Sequence, residues 1–273
     1  MEKIQNQTSN ENERWENYRL ANSRFPKVRQ AELSRQLELT NPQQGETIVE
    51  VGTGNGYLTF ELAKAVGKNG KIITFDYQKP NIDFVEQANQ GKFPIQTVHQ
   101  TLDYNLSLTD ESIDKVSTIA TLHHYDDRSK RTGTSGRQRI INEFYRVLKK
   151  GGRLVIADIA DKTPNQEYFD GVLDNSNSPG YCRPRGHPHD FLDEKLAREL
   201  CEKAGFKDIT FKIESTPLEF DSELQAKDFL HTIHNQKCVL DESLKCTLSH
   251  LNSWRKDNKF YIDWQVFCLT ARK

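Results

Sequence analysis

Three glycines at alternate positions, directly after a short apolar segment that contains an acid, are the residues with the clearest chemical meaning in this chain. Residues 48–57 read Ile-Val-Glu-Val-Gly-Thr-Gly-Asn-Gly-Tyr. Gly52, Gly54 and Gly56 allow a sharp turn and a close approach of a ligand to the backbone. The helix predicted after them offers unpaired N–H groups at its amino end. The spacing therefore predicts a ligand-binding turn between a strand and a helix.

The residues around this turn favour a ligand with an ammonium group over one with a diphosphate. The dinucleotide fingerprint G-x-G-x-x-G requires a third glycine where this chain has Tyr57. A buried charge on Glu50 would oppose a pyrophosphate and favour an ammonium group. S-adenosyl-L-methionine (SAM) carries a methionine ammonium and no phosphate, so the turn predicts SAM as the cofactor.

A second acid, about 20 residues after the turn, fits any cofactor that contains adenosine. Asp76 ends the apolar run that begins at Lys71. A carboxylate at this position can accept hydrogen bonds from the ribose hydroxyls of SAM or of NAD(P). Asp76 therefore supports an adenosine-type ligand without distinguishing between the two cofactors.

Four segments, in the same order along the chain, resemble class I SAM-dependent methyltransferases of the group that includes the ubiquinone and menaquinone biosynthesis methyltransferases. The family's first motif, an acid followed by G-x-G-x-G, matches residues 50–56, and its second-strand acid matches Asp76. Residues 112–125 resemble its fourth strand and the segment that follows. Residues 147–157 resemble its signature of helix, turn and fifth strand. The resemblance covers about residues 30–160.

This resemblance implies a doubly wound α/β fold, with a mostly parallel seven-stranded Rossmann-like sheet and helical lid insertions. It also implies transferase activity with SAM. An alignment backward from Asp114 places the adenine contact at the end of the third strand. The implied cofactor-binding residues are Glu50, Gly52, Gly54, Gly56, Asp76, Leu102 and Asp103.

Two adjacent histidines after the fourth predicted strand are candidates for a general base. Methyl transfer is an in-line displacement, and a hydroxyl or protonated amine acceptor must also lose a proton, whereas a carboxylate acceptor needs no base. His123 or His124 could take that proton. We favour His124, because neighbouring loop residues point in different directions and the family often has an aromatic residue or histidine there. Alternatively, both are packing or surface histidines, and His187 and His189 are second candidates.

Composition and charge narrow the classes of partner. With 38 Lys and Arg against 39 Asp and Glu, the net charge of −1 provides no basic excess for a nucleic-acid backbone. No apolar run approaches the roughly 18 residues that span a bilayer, and the polar start lacks a signal peptide's apolar segment. We expect a cytoplasmic enzyme whose substrate is neither nucleic acid nor membrane.

The cysteines and histidines do not predict a metal centre. The five cysteines are scattered along the chain and are expected to be reduced thiols. His231, His234 and Cys238 could lie on one helical face, but such a spacing on a polar helix is more often incidental. We therefore predict no metal ligands.

The domain organisation follows from the order of the motifs and from two insertions. Residues 1–27 form a polar segment and a candidate lid, and residues 28–273 form the methyltransferase domain. The insertions lie at about residues 159–191 and 221–256. Because ligands bind beyond the carboxyl ends of the strands in such sheets, we expect both insertions to cover the acceptor pocket.

The sequence predicts methylation of oxygen, nitrogen or carbon on a small molecule or short peptide, and it leaves two other functions open. An NAD(P)-dependent oxidoreductase would share the turn and Asp76 but would have to accommodate Tyr57 and Glu50. A non-catalytic SAM-binding protein would keep the turn and lack an acceptor pocket.

Overall fold

The computed structural model of the 273-residue chain describes residues 16–100, 104–125, 136–180, 191–236 and 238–273. These residues form two compact units. The sheet unit comprises the described residues of Leu33–Ile159, Leu192–Glu214 and Val266–Lys273. The insertion unit comprises the described residues up to Glu32 and those of Ala160–Phe191 and Ser215–Gln265.

A seven-stranded sheet in the order β3-β2-β1-β4-β5-β10-β6 organises the sheet unit. Strands β1 to β5 pair in parallel, whereas β10 runs antiparallel to β5. The strands are β1 (Thr47–Val51), β2 (Lys71–Asp76), β3 (Ile95–His99), β4 (Ile113–Ile119), β5 (Leu148–Asp158), β6 (Lys207–Ser215) and β10 (Gln265–Arg272). The predicted doubly wound, mostly parallel seven-stranded fold is confirmed.

The central strand β1 lies at the point where the strand order reverses. Its Ile48 and Val49 side chains are fully buried, as expected for a parallel strand covered on both faces. The chain moves outward from β1 to β2 and β3 and then returns to pair β4 with β1 on the other side. In such sheets, ligands bind in the crevice at the carboxyl ends of the strands at this point. The glycine turn follows β1 directly.

Among the described residues, five α-helices accompany these strands: α2 (Gln30–Thr40), α3 (Tyr57–Val66), α4 (Lys79–Asn89), α5 (Gly136–Val147) and α7 (Glu194–Ala204). The spacing of apolar residues predicts a buried stripe along α3, and Leu58 and Leu62 of this stripe are buried. Gly67 ends α3, and its N–H donates to the Ala63 carbonyl, as predicted. These features fix the direction in which α3 leaves the glycine turn.

The apolar spacing between Arg139 and Leu148 predicts a helix that Gly151 ends, and this role of Gly151 is wrong. The helix ends at Val147, and Leu148 already pairs with Ile113 of β4. One residue of β4 then lies opposite four residues of β5 before Arg153 pairs with Lys115. Gly151 belongs to this bulge, where its φ of 76° is readily adopted by glycine. Strand pairing, which local sequence does not reveal, takes these residues into the sheet.

The insertion unit contains short helices and a second, antiparallel sheet. Its helices are α1 (including residues 16–24), α6 (Pro164–Tyr168), a π-helical turn (Phe169–Leu173), α8 (Glu223–Ile233) and α9 (Leu240–Leu248). Its strands, in the order β7-β9-β8, are Leu218–Phe220, Lys259–Ile262 and Ser253–Lys256. In the second insertion, apolar residues recur at helix-like intervals, and α8 and α9 confirm the helices that this spacing predicts.

The apolar residues near positions 261–269 predict one strand, but the chain forms two strands there. Strand β9 pairs with β7 through Ile262 and Leu218, and β10 begins at Gln265 in the large sheet. Between them the Trp264 carbonyl accepts a hydrogen bond from the Thr216 N–H. The break arises because the two halves have different pairing partners.

The described residues contain no group of three or more His, Cys, Asp or Glu side chains that could hold a metal ion. His234 is buried and packs edge-on against Tyr168, with 5.6 Å between ring centroids. Of the predicted thiols, Cys201, Cys238, Cys246 and Cys268 form no disulfide in the described part of the chain. None of the described helices is long and apolar enough to cross a membrane.

Candidate cofactor and active site

The turn between β1 and α3 has a backbone that requires glycine. Gly52, Gly54 and Gly56 have φ angles of 91°, 51° and 78°, a region that other residues rarely adopt. The Gly52 N–H donates to the Phe75 carbonyl at 2.8 Å and ties the turn to β2. A Cβ atom on Gly52 would lie 2.0 Å from Thr121 Oγ1. Gly52 is thus required by space as well as by conformation.

Glu50 lies beneath this turn, and its side chain is only 2% exposed. Its Oε2 atom accepts hydrogen bonds from the hydroxyls of Thr59, at 2.5 Å, and Thr74, at 2.8 Å. Burial raises the pKa of Glu50 to about 8; the two hydroxyl bonds oppose this shift, and the charge of Asp76 adds to it. The carboxyl group is therefore protonated at neutral pH, and the sequence expectation of a standing negative charge needs revision. A bound ammonium group would favour ionisation.

Asp76, at the end of β2, connects the glycine turn to the start of α4. Its Oδ2 accepts hydrogen bonds from the Gly54 N–H at 2.9 Å and from Asn81 Nδ2 at 3.2 Å. Its Oδ1 accepts one from the Gln78 N–H at 2.8 Å. Burial raises the pKa of Asp76, and these hydrogen bonds oppose the shift. Asp76 is only 7% exposed, and its hydrogen bond to the Gly54 N–H helps to fix the glycine turn.

Two buried acceptors near Asp76 accept no hydrogen bond from the described residues. They are the Oδ1 atoms of Asn55, between the second and third glycines, and of Asn81. An unsatisfied buried acceptor costs about 1–3 kcal/mol. A ligand with ammonium and hydroxyl donors could satisfy both atoms, so these residues fit SAM. The sequence offers only one signal for them, the position of Asn55 within the glycine motif.

The adjacent histidines lie in a 3₁₀ turn (Leu122–Tyr125) after β4. The His123 N–H donates to Asp158 Oδ2 at 3.0 Å, and its ring Nδ1 lies 2.7 Å from Asp158 Oδ1. Asp158 ends β5, and the His123 and Asp158 residues are 5% and 1% exposed. A proton on Nδ1 can donate a hydrogen bond to the carboxylate. In that tautomer, the lone pair of the neutral ring is on Nε2.

His124 lies beside His123, with 4.2 Å between the ring centroids, and it is partly exposed. Its N–H donates to the Thr121 carbonyl at 3.0 Å. The histidine turn is close to the glycine turn, because the Thr121 side chain fills the space next to Gly52. The role of Asp158 is not evident from the sequence, since only strand order brings the ends of β4 and β5 together.

The structure leaves some predicted positions undescribed. Leu102 and Asp103, the predicted adenine contacts, lie outside the described residues, as do His187 and His189. Strand β3 ends at His99, three residues before Leu102. The candidate site therefore consists of the glycine turn, the Glu50 and Asp76 carboxyl groups and the histidine turn.

Residues 42–179, about half of the chain, match the family model described as a methyltransferase domain. This match agrees with the strand order, the glycine turn and the acid at the end of β2. The chain belongs to this family of SAM-dependent methyltransferases.

Two relatives show the range of proteins that resemble this chain. An arsenite methyltransferase of Halobacterium salinarum is 26% identical over 184 residues, which are 67% of this chain and 42% of the relative. A demethylmenaquinone methyltransferase of Oceanobacillus iheyensis is 26% identical over 186 residues, which are 63% of this chain and 74% of the relative. The chain thus matches less than half the length of the first relative.

A crystal structure of a candidate methyltransferase from Bacillus halodurans C-125 has a similar fold. Its TM-score is 0.58 at 17% sequence identity, and the match covers 89% of this chain and 98% of that one. At this identity, the likeness concerns the fold alone.

Proposed function

We propose that the protein transfers the methyl group of SAM to a small-molecule acceptor. The observation that carries this proposal is a left-handed glycine turn that Asp76 anchors above the buried Glu50 carboxyl group, in a chain of the methyltransferase family. The turn brings backbone close to the ligand, and two buried acceptors lie beside it. A diphosphate would oppose the ionisation of two buried carboxyl groups, whereas the ammonium group of SAM would favour it.

Each part of the site has a proposed partner on the cofactor. Glu50 would bind the methionine ammonium group through the turn, and Asp76 and Asn81 would bind the ribose hydroxyls. Leu102 and Asp103 remain the proposed adenine contacts. When bound, SAM supplies an electrophilic methyl group on a sulfonium. The chain's own contribution is to hold the acceptor in line with that methyl group and to remove a proton where the acceptor carries one.

His123 is the better-oriented of the two proposed bases. Asp158 fixes its ring through Nδ1, and the lone pair on Nε2 is the one that would accept a proton. The carboxylate would also stabilise the imidazolium that forms. This arrangement favours His123 over His124, which was preferred from the sequence, and both remain proposals.

The acceptor is proposed to be a small molecule because the relatives are named for arsenite and demethylmenaquinone. A short peptide is the alternative acceptor. We further propose that the segments at about 159–191 and 221–256, and the polar segment 1–27, determine which acceptor is bound.

The proposal can be tested by incubating the protein with SAM and a panel that includes arsenite, a demethylated quinone, small alcohols and amines, and short peptides. Mass spectrometry should detect S-adenosylhomocysteine (SAH) and one product that has gained a methyl group. The D76A variant should lose most of this turnover. Tight SAH binding without any methylated product would indicate a non-catalytic SAM-binding protein, and NADH binding without SAH binding would indicate an oxidoreductase.

The two histidines can be distinguished with the acceptor identified in that screen. If the acceptor loses a proton, H123Q should lower kcat by at least tenfold with little change in SAH affinity, and H124Q should have a smaller effect. D158N should also lower kcat with little change in SAH affinity, because the amide cannot stabilise the imidazolium as the carboxylate does. Wild-type kinetics for H123Q would remove His123 from the mechanism.

A further inference from the structure

A basic cleft lies near the amino ends of β4 and β5, whereas the glycine turn follows the carboxyl end of β1. Its volume is about 330 Å³, and Lys115, Lys149, Lys150, Arg153 and Arg272 contribute positive charges to its lining. All these residues belong to the sheet unit. The cleft is formed at the start of β4, at the bulge in β5 and at the last residue of β10.

The carboxylates in this cleft are already paired. Lys115 Nζ lies 2.7 Å from Glu46 Oε2, and Lys149 Nζ lies 2.6 Å from Asp114 Oδ1. In the described part of the chain, no carboxylate pairs with Lys150, Arg153 or Arg272. The cleft therefore retains an excess of positive charge, although the whole chain has a net charge of −1.

Strand pairing forces two of these cations together. Arg153 lies directly opposite Arg272 on the antiparallel neighbour and opposite Lys115 on the parallel neighbour. Side chains of directly opposed residues project on the same face of a sheet, and like charges there repel each other. Burial and the charge of Arg272 both lower the pKa of Arg153. A bound anion would relieve this repulsion.

The backbone beside the arginines leaves room for such an anion. A Cβ atom on Gly151 would meet no atom within 4 Å, so the bulge is open at this point. Arg272 Nη1 donates to the Gly151 carbonyl at 3.1 Å and is held at the side of the bulge. Guanidinium groups present paired donors that match phosphate oxygens.

We propose that this basic cleft binds the phosphate group of a small phosphorylated molecule. Its volume falls within the roughly 300–1,000 Å³ typical of small-ligand sites. The chain has no overall excess of positive charge with which to hold a long polyanion. The site is separate from the glycine turn, and its occupancy does not depend on the identity of the methyl acceptor.

Thermal unfolding of the full chain tests this proposal. Inorganic phosphate should raise Tm above its value in chloride at equal ionic strength, because a ligand of the folded state stabilises that state. The R153Q/R272Q variant should lose this increase. The K195Q/K203Q variant removes the same charge from exposed positions of α7 and should keep it. Without phosphate, the Tm of R153Q/R272Q should stay close to that of the wild type, since the lost repulsion offsets the lost hydrogen bond to the Gly151 carbonyl.

Further ligands distinguish the sources of the phosphate group. A larger increase with a nucleoside monophosphate than with inorganic phosphate would support a phosphorylated metabolite, and an increase with inorganic phosphate alone would support a free phosphate site. Binding only of a short RNA, or an equal increase for R153Q/R272Q, would overturn the proposal. Loss of the phosphate effect in saturating SAH would also overturn it, because phosphate would then occupy the cofactor turn.

Discussion

At the scale of single residues, Glu50 connects the proposed recognition of the cofactor with pH. In the folded chain its pKa is about 8, against 4.5 for an ordinary glutamate. Between these two values the unfolded chain has released the Glu50 proton and the folded chain retains it. The Glu50 contribution to the free energy of unfolding therefore falls as pH rises from about 4.5 to 8.

The E50Q variant should remove this dependence. Glutamine cannot ionise, so the ligand-free variant should be more stable than the wild type at pH 8 and should gain less at pH 6. The same variant should bind SAH more weakly, because no carboxylate is left for the ammonium group. Urea unfolding at both pH values and calorimetry with SAH measure the two effects. A wild-type pH dependence in E50Q would assign the titration to another group.

Asp76 should matter for affinity through two roles, since it holds Gly54 and is the proposed ribose partner. We expect D76N to weaken SAH binding at least several-fold by calorimetry. The D83N variant is a matched control, because Asp83 lies in the following helix α4, has a side chain that is 45% exposed, and pairs with Lys79. Unchanged affinity in D76N would exclude Asp76 from the cofactor site.

The residues that the sequence alone could predict are those inside a local pattern. Such a pattern includes Glu50, the three glycines and Asp76. Each lies in or directly after a strand that the neighbouring apolar residues predict. Asp158 and Asn81 could not be predicted in this way. Asp158 faces His123 because β4 and β5 are adjacent, and the buried acceptor of Asn81 becomes evident only when its surroundings are known.

At the scale of elements, the glycine turn requires glycine at position 52 for two reasons, the backbone conformation and the close contact with Thr121. Two variants separate these reasons. Gly45 has a φ of 85°, close to the 91° of Gly52, but a Cβ atom there would meet nothing within 4 Å. G45A should therefore cost about 1–2 kcal/mol from backbone conformation. G52A should cost a further 1–3 kcal/mol or so, because its Cβ overlaps the Thr121 side chain. Equal losses in urea unfolding would show that Thr121 moves freely.

Helices and central strands follow from the sequence where periodicity and capping agree. Helix α3, with its apolar stripe and Gly67, is such a case. The end of α5 and the break between β9 and β10 do not follow, because each depends on which strand pairs with which. The antiparallel sheet of the insertion unit is a product of the same long-range pairing.

At the scale of the whole molecule, cofactor binding should stabilise the folded chain in proportion to occupancy. SAH at about 100 times its Kd should add about 2.7 kcal/mol to the free energy of unfolding. NADH at the same concentration should add nothing measurable. Differential scanning calorimetry with each ligand makes this comparison, and stabilisation by NADH alone would contradict the proposed cofactor.

The fold class could be predicted because four motifs occur in an order that only a small set of α/β sheets provides. The acceptor could not be predicted, since the segments proposed to form its pocket have no recognisable local pattern. The family match has the same limit: it ends at residue 179, whereas the second insertion begins near residue 221.

The four-residue bulge of β5 has a practical consequence for altering this chain. Pairing of Leu148 with Ile113 fixes the register before the bulge, and pairing of Arg153 with Lys115 restores it afterwards. Residues added between these two pairs would lengthen a surface excursion without displacing Asp158 from its histidine partner. A reporter group attached to the bulge should therefore leave the contact between Asp158 and His123 in place and respond to ligands of the basic cleft.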